Sequence, residues 1–332
     1  MDQKIIHNGN LKSPLNIESL KISFNLIGYR NDLFTSDNPE DIIEFYNTFK
    51  SKESLIKWMK ERPKGVTYIN EVDGRKDIIV VIPTANVNGK YAKACRDEIF
   101  KGLHIIFVES GEVKDPYFNV AHASNVGFKK ALEYDPKWII FSNDDMYKID
   151  DVSVLIEELN KINPATVDVV FADSYPCFHH SYERVLGTKR SIYDFASSFY
   201  HLFLNKQNKP KTVYKMKKIN KTFNTKLLIR NRYSKIVFKK ARKFIEIGDF
   251  AIFSGIWVRN MKGNIFDETY INAHDDLDLS YVLSKSNKDY YKIIKYQIGS
   301  FSGTSLGLGI TRDLRRIAAD VYLESKFLGD FA

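Results

Sequence analysis

Four short, almost wholly apolar runs, at residues 78–82, 103–108, 138–141 and 167–172, alternate with helical patterns at 90–101, 119–133 and 152–162. Strands lacking a polar face are covered on both sides, and strands regularly separated by helices pair in parallel. The chain is therefore expected to be an α/β protein built on a mostly parallel, doubly wound sheet. Such sheets bind ligands beyond the carboxyl ends of their strands. Thr84, then Glu109 and Ser110, then Asn143, Asp144 and Asp145 each follow one of the runs and so fall along that edge.

Two adjacent acids beside an amide are hard oxygen donors, suited to Mg²⁺ or Mn²⁺ carrying a phosphate. Read blandly, the same three residues turn the chain into its next helix, since Asn and Asp favour turns. No Gly-x-Gly-x-x-Gly follows the first run, and no Gly-x-x-x-x-Gly-Lys-Ser/Thr occurs, so a simple dinucleotide or Walker-type site is disfavoured.

The flanks are different in kind. Residues 1–76 precede any run of buried character; 21–27 alternates like a half-exposed strand, and Asn38-Pro39 caps a helix, followed by a second at 53–61. They are expected to be an appendage on a main domain at 77–312, with 313–332 a docking C-terminal helix. Residues 299–309 hold four glycines and three serines, as a lid would.

Charge is equally uneven. The net charge is +9, but residues 205–243 carry fifteen cations and no acid, leaving −6 for the rest (9 less 15). The segment 175–247 thus reads as a basic insertion with its own role. Hydrophobic content of 44% fits a folded chain, and two cysteines, Cys95 and Cys177, offer no disulfide framework. With no signal-peptide h-region and no run of spanning length, a cytoplasmic location, peripheral at most to a membrane, is expected.

A second acidic cluster, His274-Asp275-Asp276-Leu277-Asp278-Leu279, lies far downstream. Asp275 and Asp276 suit the positive end of a helix, which is reason enough for acids there. Taken together, residues 80–84, Asn125-Val126-Gly127, 141–145 and the stretch from Gly263 through Phe266-Asp267-Glu268 to 275–279 resemble the family two glycosyltransferases. The likeness covers roughly 77–174 and 248–303.

The resemblance implies a GT-A fold and inverting transfer of a sugar from a nucleotide donor, a UDP-sugar before others. The acceptor would be a glycan or a lipid-linked hydroxyl. Pro83, Thr84 and Glu109 would line the base and ribose, with Asn125, Gly127, Asn143 and Asp144 completing the donor site. Asp145 would bind the Mg²⁺ or Mn²⁺ that bridges the diphosphate, and Asp276 would be the general base. Relatives place a metal-binding His near the sheet's end; here Gln297 stands there, leaving either His274 as a substitute or the metal to Asp145, phosphates and waters. The chemistry stands on its own terms: a cation neutralises a departing diphosphate, and an acceptor hydroxyl needs a carboxylate in reach.

Two other classes stay open. A sugar-nucleotide-forming nucleotidyltransferase would want a cationic Gly-rich loop after the first run, and 83–89 has no cation. A non-enzymatic module could use the basic segment on an anionic surface. His179-His180 lacks a matching ligand pair, Trp257 reads as a buried aromatic, and Ser302 and Ser305 have no paired base.

Ile192, Phe195, Ala196, Phe199 and Phe203 follow helical spacing beside the cationic run. That pattern suits a helix lying in an anionic membrane surface, ahead of nucleic acid. Flotation with anionic liposomes is expected to recover the wild type, and to recover less of a Phe195→Ser/Phe199→Ser variant. Equal recovery, or no preference over neutral lipid, would leave a soluble protein with a basic insertion.

Overall fold

In a computed structural model of the chain, the residues described are 32–110, 117–173, 179–181, 215, 218–219, 222–223, 243–286, 290–301, 306–307 and 309–327. Their helices are α1 (Pro39–Asn47), α2 (Lys52–Glu61), α3 (Lys90–Ala94, continuing as a π-turn Cys95–Ile99), α4 (Val120–Leu132), α5 (Val152–Asn160), α6 (Gly255–Asn260), α7 (Asp275–Ser286) and α8 (Gly309–Phe327). Strands are β1 (Tyr68–Val72), β2 (Arg75–Thr84), β3 (Leu103–Glu109), β4 (Trp138–Ser142), β5 (Met146–Lys148), β6 (Val169–Ala172), β7 (His179–Ser181), β8 (Lys243–Ile245), β9 (Phe250–Ser254), β10 (Tyr291–Ile294) and β11 (Ile298–Ser300).

The centre is a seven-stranded sheet ordered β1-β3-β2-β4-β9-β6-β10, in an α/β fold. Five strands point the same way; β1 on β3, and β9 between β4 and β6, run antiparallel. Alternation divides β2 between two cores. Ile78, Val80 and Ile82 meet the π-turn and α5 on one face, while Ile79 and Val81 meet α4 and α7 on the other.

A third core lies beyond the sheet. α1, α2 and α8 close on one another with Leu277 and Tyr281 of α7, and with Ile219 and Phe223 from the 175–247 segment. α7 therefore buries two sides, since its Leu279 and Leu283 belong to the sheet core. Two buried arginines fasten the arrangement. Arg62 donates Nε to Asp32 Oδ2 (2.8 Å) and Nη2 to Oδ1 (3.1 Å). Arg315 donates to the carbonyls of Leu33, Leu306 and Ser36 and to Asp37 Oδ1. Paired this fully, a buried guanidinium is tolerated.

Within residues 32–76, β1 extends the sheet, and α1 and α2 share a core with α8. β9 is the reversed strand inside this mostly parallel sheet. Its first residue, Phe250, pairs with Ser142 at the end of β4, so the chain re-enters at the edge where the other strands leave. The strand expected at 21–27, the stripe at 192–203, Cys177, Ser302 and Ser305 lie outside the described residues. No helix among the described residues is long and apolar enough to cross a membrane.

α4 approaches β2 and β3 so closely that a Cβ on Gly127 would meet Val81 Cγ1 at 2.3 Å and Val108 Cγ2 at 3.0 Å. Gly127→Ala is expected to destabilise the fold by about 1–3 kcal/mol, the usual range for overpacking, read as a lower urea midpoint with unchanged slope.

Candidate functional site

The edge at the carboxyl ends of β2, β3 and β4 carries the residues singled out above. Pro83 and Thr84 end β2, and Thr84 stands in register with Glu109 at the end of β3. Thr84 Oγ1 donates to Asp144 Oδ2 at 2.6 Å. Glu109 receives Val87 N at 3.0 Å and Asn70 Nδ2 at 3.1 Å, tying β1 and the loop after β2 to the edge. Cys95 lies beneath, its thiol 3.3 Å from the Asp144 carbonyl and pushed up by burial.

Burial raises the Asp144 carboxyl above the ordinary range, against the opposing effect of the Thr84 hydroxyl. Asp145 is buried, and its carbonyl accepts from Phe301 N at 2.9 Å. Asn143 turns the other way: its backbone N donates to Asp249 O (2.9 Å) and its Nδ2 to Asp249 Oδ1 (2.7 Å). Asp249 precedes β9, so the antiparallel strand delivers a carboxylate to the same edge.

The second cluster arrives through α7. Ile247 N donates to Ser280 Oγ (2.9 Å), and Ser280 Oγ donates to the Asp276 carbonyl (2.5 Å), clamping the 246–249 segment against the helix start. Burial pushes the Asp276 carboxyl well up, and the charges of Glu246, Asp275 and Asp249 push it further. Asp275, buried, moves the same way from burial and from Asp278 and Asp267. Asp249 thus touches Asn143 directly, and its charge is among those that raise Asp276. The 246–249 segment thus runs from Asn143 at the end of β4 to the start of α7.

Asn125 and Gly127 are both on α4 and buried in its packing. Asn125 gives Nδ2 to Phe266 O (2.9 Å) and Glu268 Oε1 (3.0 Å), and its Oδ1 accepts from Phe266 N (3.0 Å). Its amide holds the 263–274 loop on α4, and Gly127 packs against Val81 of β2 and Val108 of β3. His274 Nε2 lies 2.6 Å from Asp320 Oδ1, an engagement with α8. Gln297 pairs with Asp150 at the start of β11, while Ser300 and Phe301 are the residues nearest Asp145 in that register. Trp257 packs its ring against Phe253 at 5.6 Å, a structural contact.

No three His, Cys, Asp or Glu among the described residues converge to hold a metal unaided. Mg²⁺ seldom asks for that; it keeps waters and takes one or two carboxylates plus substrate phosphates. Asn143 Oδ1 accepts no hydrogen bond from the described residues.

Asp249, Glu246 and Ser280 were not singled out from sequence. The available signal was an acid immediately before the apolar run at 250–253, but nothing local says that this run enters the sheet upside down. Comparison with protein-family models, curated proteins and solved structures returned no match for this chain.

The raised carboxyl of Asp276 has a thermodynamic sign. A group whose folded pKa exceeds its unfolded one contributes stability at low pH and loses it as pH rises through the folded value. Asp276→Asn is therefore expected to melt higher than wild type at pH 7.5, with the gap closing toward the ordinary carboxylate range. Equal melting temperatures at both ends of a pH series would show that the charge carries no repulsion.

Proposed function

We propose that the chain is an inverting glycosyltransferase of GT-A type, moving a sugar from a nucleoside diphosphate to an acceptor hydroxyl. What carries the reading is the position of Asp249. It accepts from Asn143 at 2.7 Å, and two residues away Ile247 N donates to Ser280 Oγ, which donates to the Asp276 carbonyl, so groups 133 residues apart (276 less 143) are linked through one short segment. A turn and a helix cap, the bland readings of the two clusters, require no such meeting.

The residues divide the work by chemistry. Asp276 takes the proton of the acceptor hydroxyl as its oxygen attacks the anomeric carbon from the face opposite the leaving group. The bond from that carbon to the diphosphate oxygen breaks, and the diphosphate departs with the bonding pair. A divalent cation on Asp145 would neutralise that charge without proton transfer. Thr84 holds Asp144 at the edge, and Glu109 fixes the loop after β2 beside it.

The same acids that raise Asp276 set when it can act. A base must be deprotonated, so the acid limb of kcat/KM is expected above the ordinary carboxylate range, and Asp249→Asn should move it down. Asp276→Asn should keep donor binding while turnover falls about 10²–10⁴-fold. Asp145→Ala should remove the Mn²⁺-dependent part of nucleoside diphosphate binding in calorimetry. Metal dependence unchanged in that variant, together with near-normal turnover in Asp276→Asn, would refute the assignment.

A further inference from the structure

Beside Asp145, β5 and β11 form a two-stranded antiparallel ribbon in which Tyr147 stands opposite Gly299 and Met146 opposite Ser300. The pairing runs one residue further, Phe301 N donating to Asp145 O at 2.9 Å. A Cβ on Gly299 would lie 2.0 Å from Tyr147 Cζ, so the tyrosine ring lies directly across the glycine backbone. An aromatic ring over a cross-strand glycine is held in place by it.

Phe301 continues the surface, its ring centroid 5.0 Å from that of Tyr147, and Tyr91 at the start of α3 follows at 6.0 Å from Phe301. Yet Tyr147 is 42% and Phe301 60% exposed. Met146 turns into the core, and alternation along the ribbon sets Asp145, Tyr147, Gly299 and Phe301 on the opposite face. Two outward aromatic rings, one braced by glycine, therefore flank a carboxylate at the edge of the candidate site.

We propose that Tyr147 and Phe301 form a platform for the apolar face of a pyranose ring, beside Asp145. The proposal rests on the glycosyltransferase reading and names the seat of a sugar within that site. A pyranose presents C–H groups on one face and hydroxyls around its rim. An aromatic ring with two χ angles packs on the first at little entropic cost. The patch is too small for a stable protein interface, which buries roughly 800 Å² per partner. The ring can come from the donor or from the acceptor glycan.

Phe301→Trp places an indole on the platform, and the exposure of the site leaves the fold intact, as circular dichroism and melting would verify. Its emission, less that of wild type, is followed on adding UDP-, GDP- and dTDP-linked sugars, the matching free diphosphates, each with Mn²⁺, and cello-, malto- and chitohexaose without nucleotide. A change with a nucleotide sugar but not with its free diphosphate assigns the platform to the donor sugar. A change with an oligosaccharide alone assigns it to the acceptor. In either case Phe301→Ala is expected to weaken binding of that probe, by calorimetry, roughly 3–10-fold. Equal changes with free diphosphate and nucleotide sugar, or none with any probe, would overturn the platform. Wild type that binds diphosphates with Mn²⁺ but shows no sugar-dependent response loses only the platform; wild type that binds no diphosphate loses the parent reading, and the hexaoses alone then decide the platform.

Discussion

The antiparallel seating of β9 between β4 and β6 is the constraint on which the rest of the molecule turns. Strands that all run one way put all their carboxyl ends, and the loops that follow, at one edge. A single reversed strand adds its amino-terminal approach to that edge, and with it Asp249. The hydrogen bond from Asn143 to Asp249 is a consequence of strand direction before it is a detail of side chains. Turning β9 over would carry Asp249 to the far end of the sheet and leave Asn143 without this partner.

α7 completes the edge because it is wedged between two cores. Leu277 and Tyr281 bind it to α1, α2 and α8, while Leu279 and Leu283 bind it to the sheet. A helix held on two sides cannot relax to relieve charge at its first turn. Asp275 and Asp276 are kept close to Asp278, Glu246 and Asp249 despite the repulsion that raises their proton affinities. The helix N-terminus offsets part of that cost. The remainder is supported by packing elsewhere, including the buried Arg62 and Arg315 networks that fasten the N-terminal segment to α2 and α8. Local unfavourable electrostatics held by distant burial is the usual physical signature of a site shaped for chemistry over stability.

The ribbon of β5 and β11 supplies a second kind of surface at the same place. Charge and hydrogen bonding come from the main sheet, whereas outward aromatic area comes from the ribbon. Its shape follows from one small residue, since any side chain at 299 would displace the Tyr147 ring.

Much of this architecture was legible in the sequence. Continuous apolar runs separated by helical periods dictate a covered, mostly parallel sheet, and the polar residues that end those runs must lie on its carboxyl edge. Asn38-Pro39 and the apolar stripe of α8 announced their helices just as directly. Residues of the same chemical type were not equally legible in role. Asn125 resembled a donor ligand but is consumed in holding the 263–274 loop, and Gly127 is required by the closeness of α4 to β2. His274 resembled a metal ligand but engages Asp320. Which partner an amide or imidazole takes depends on groups brought near by folding, and local pattern carries no record of them. The sequence by itself determined the strands, their burial and the edge on which Thr84, Glu109 and Asn143–Asp145 would stand. Only the tertiary structure decided that β1 joins the sheet, that β9 enters reversed and that the 246–249 segment links Asn143 to the start of α7, because strand direction and long-range pairing are fixed by the closing of the chain and not by any short stretch of it.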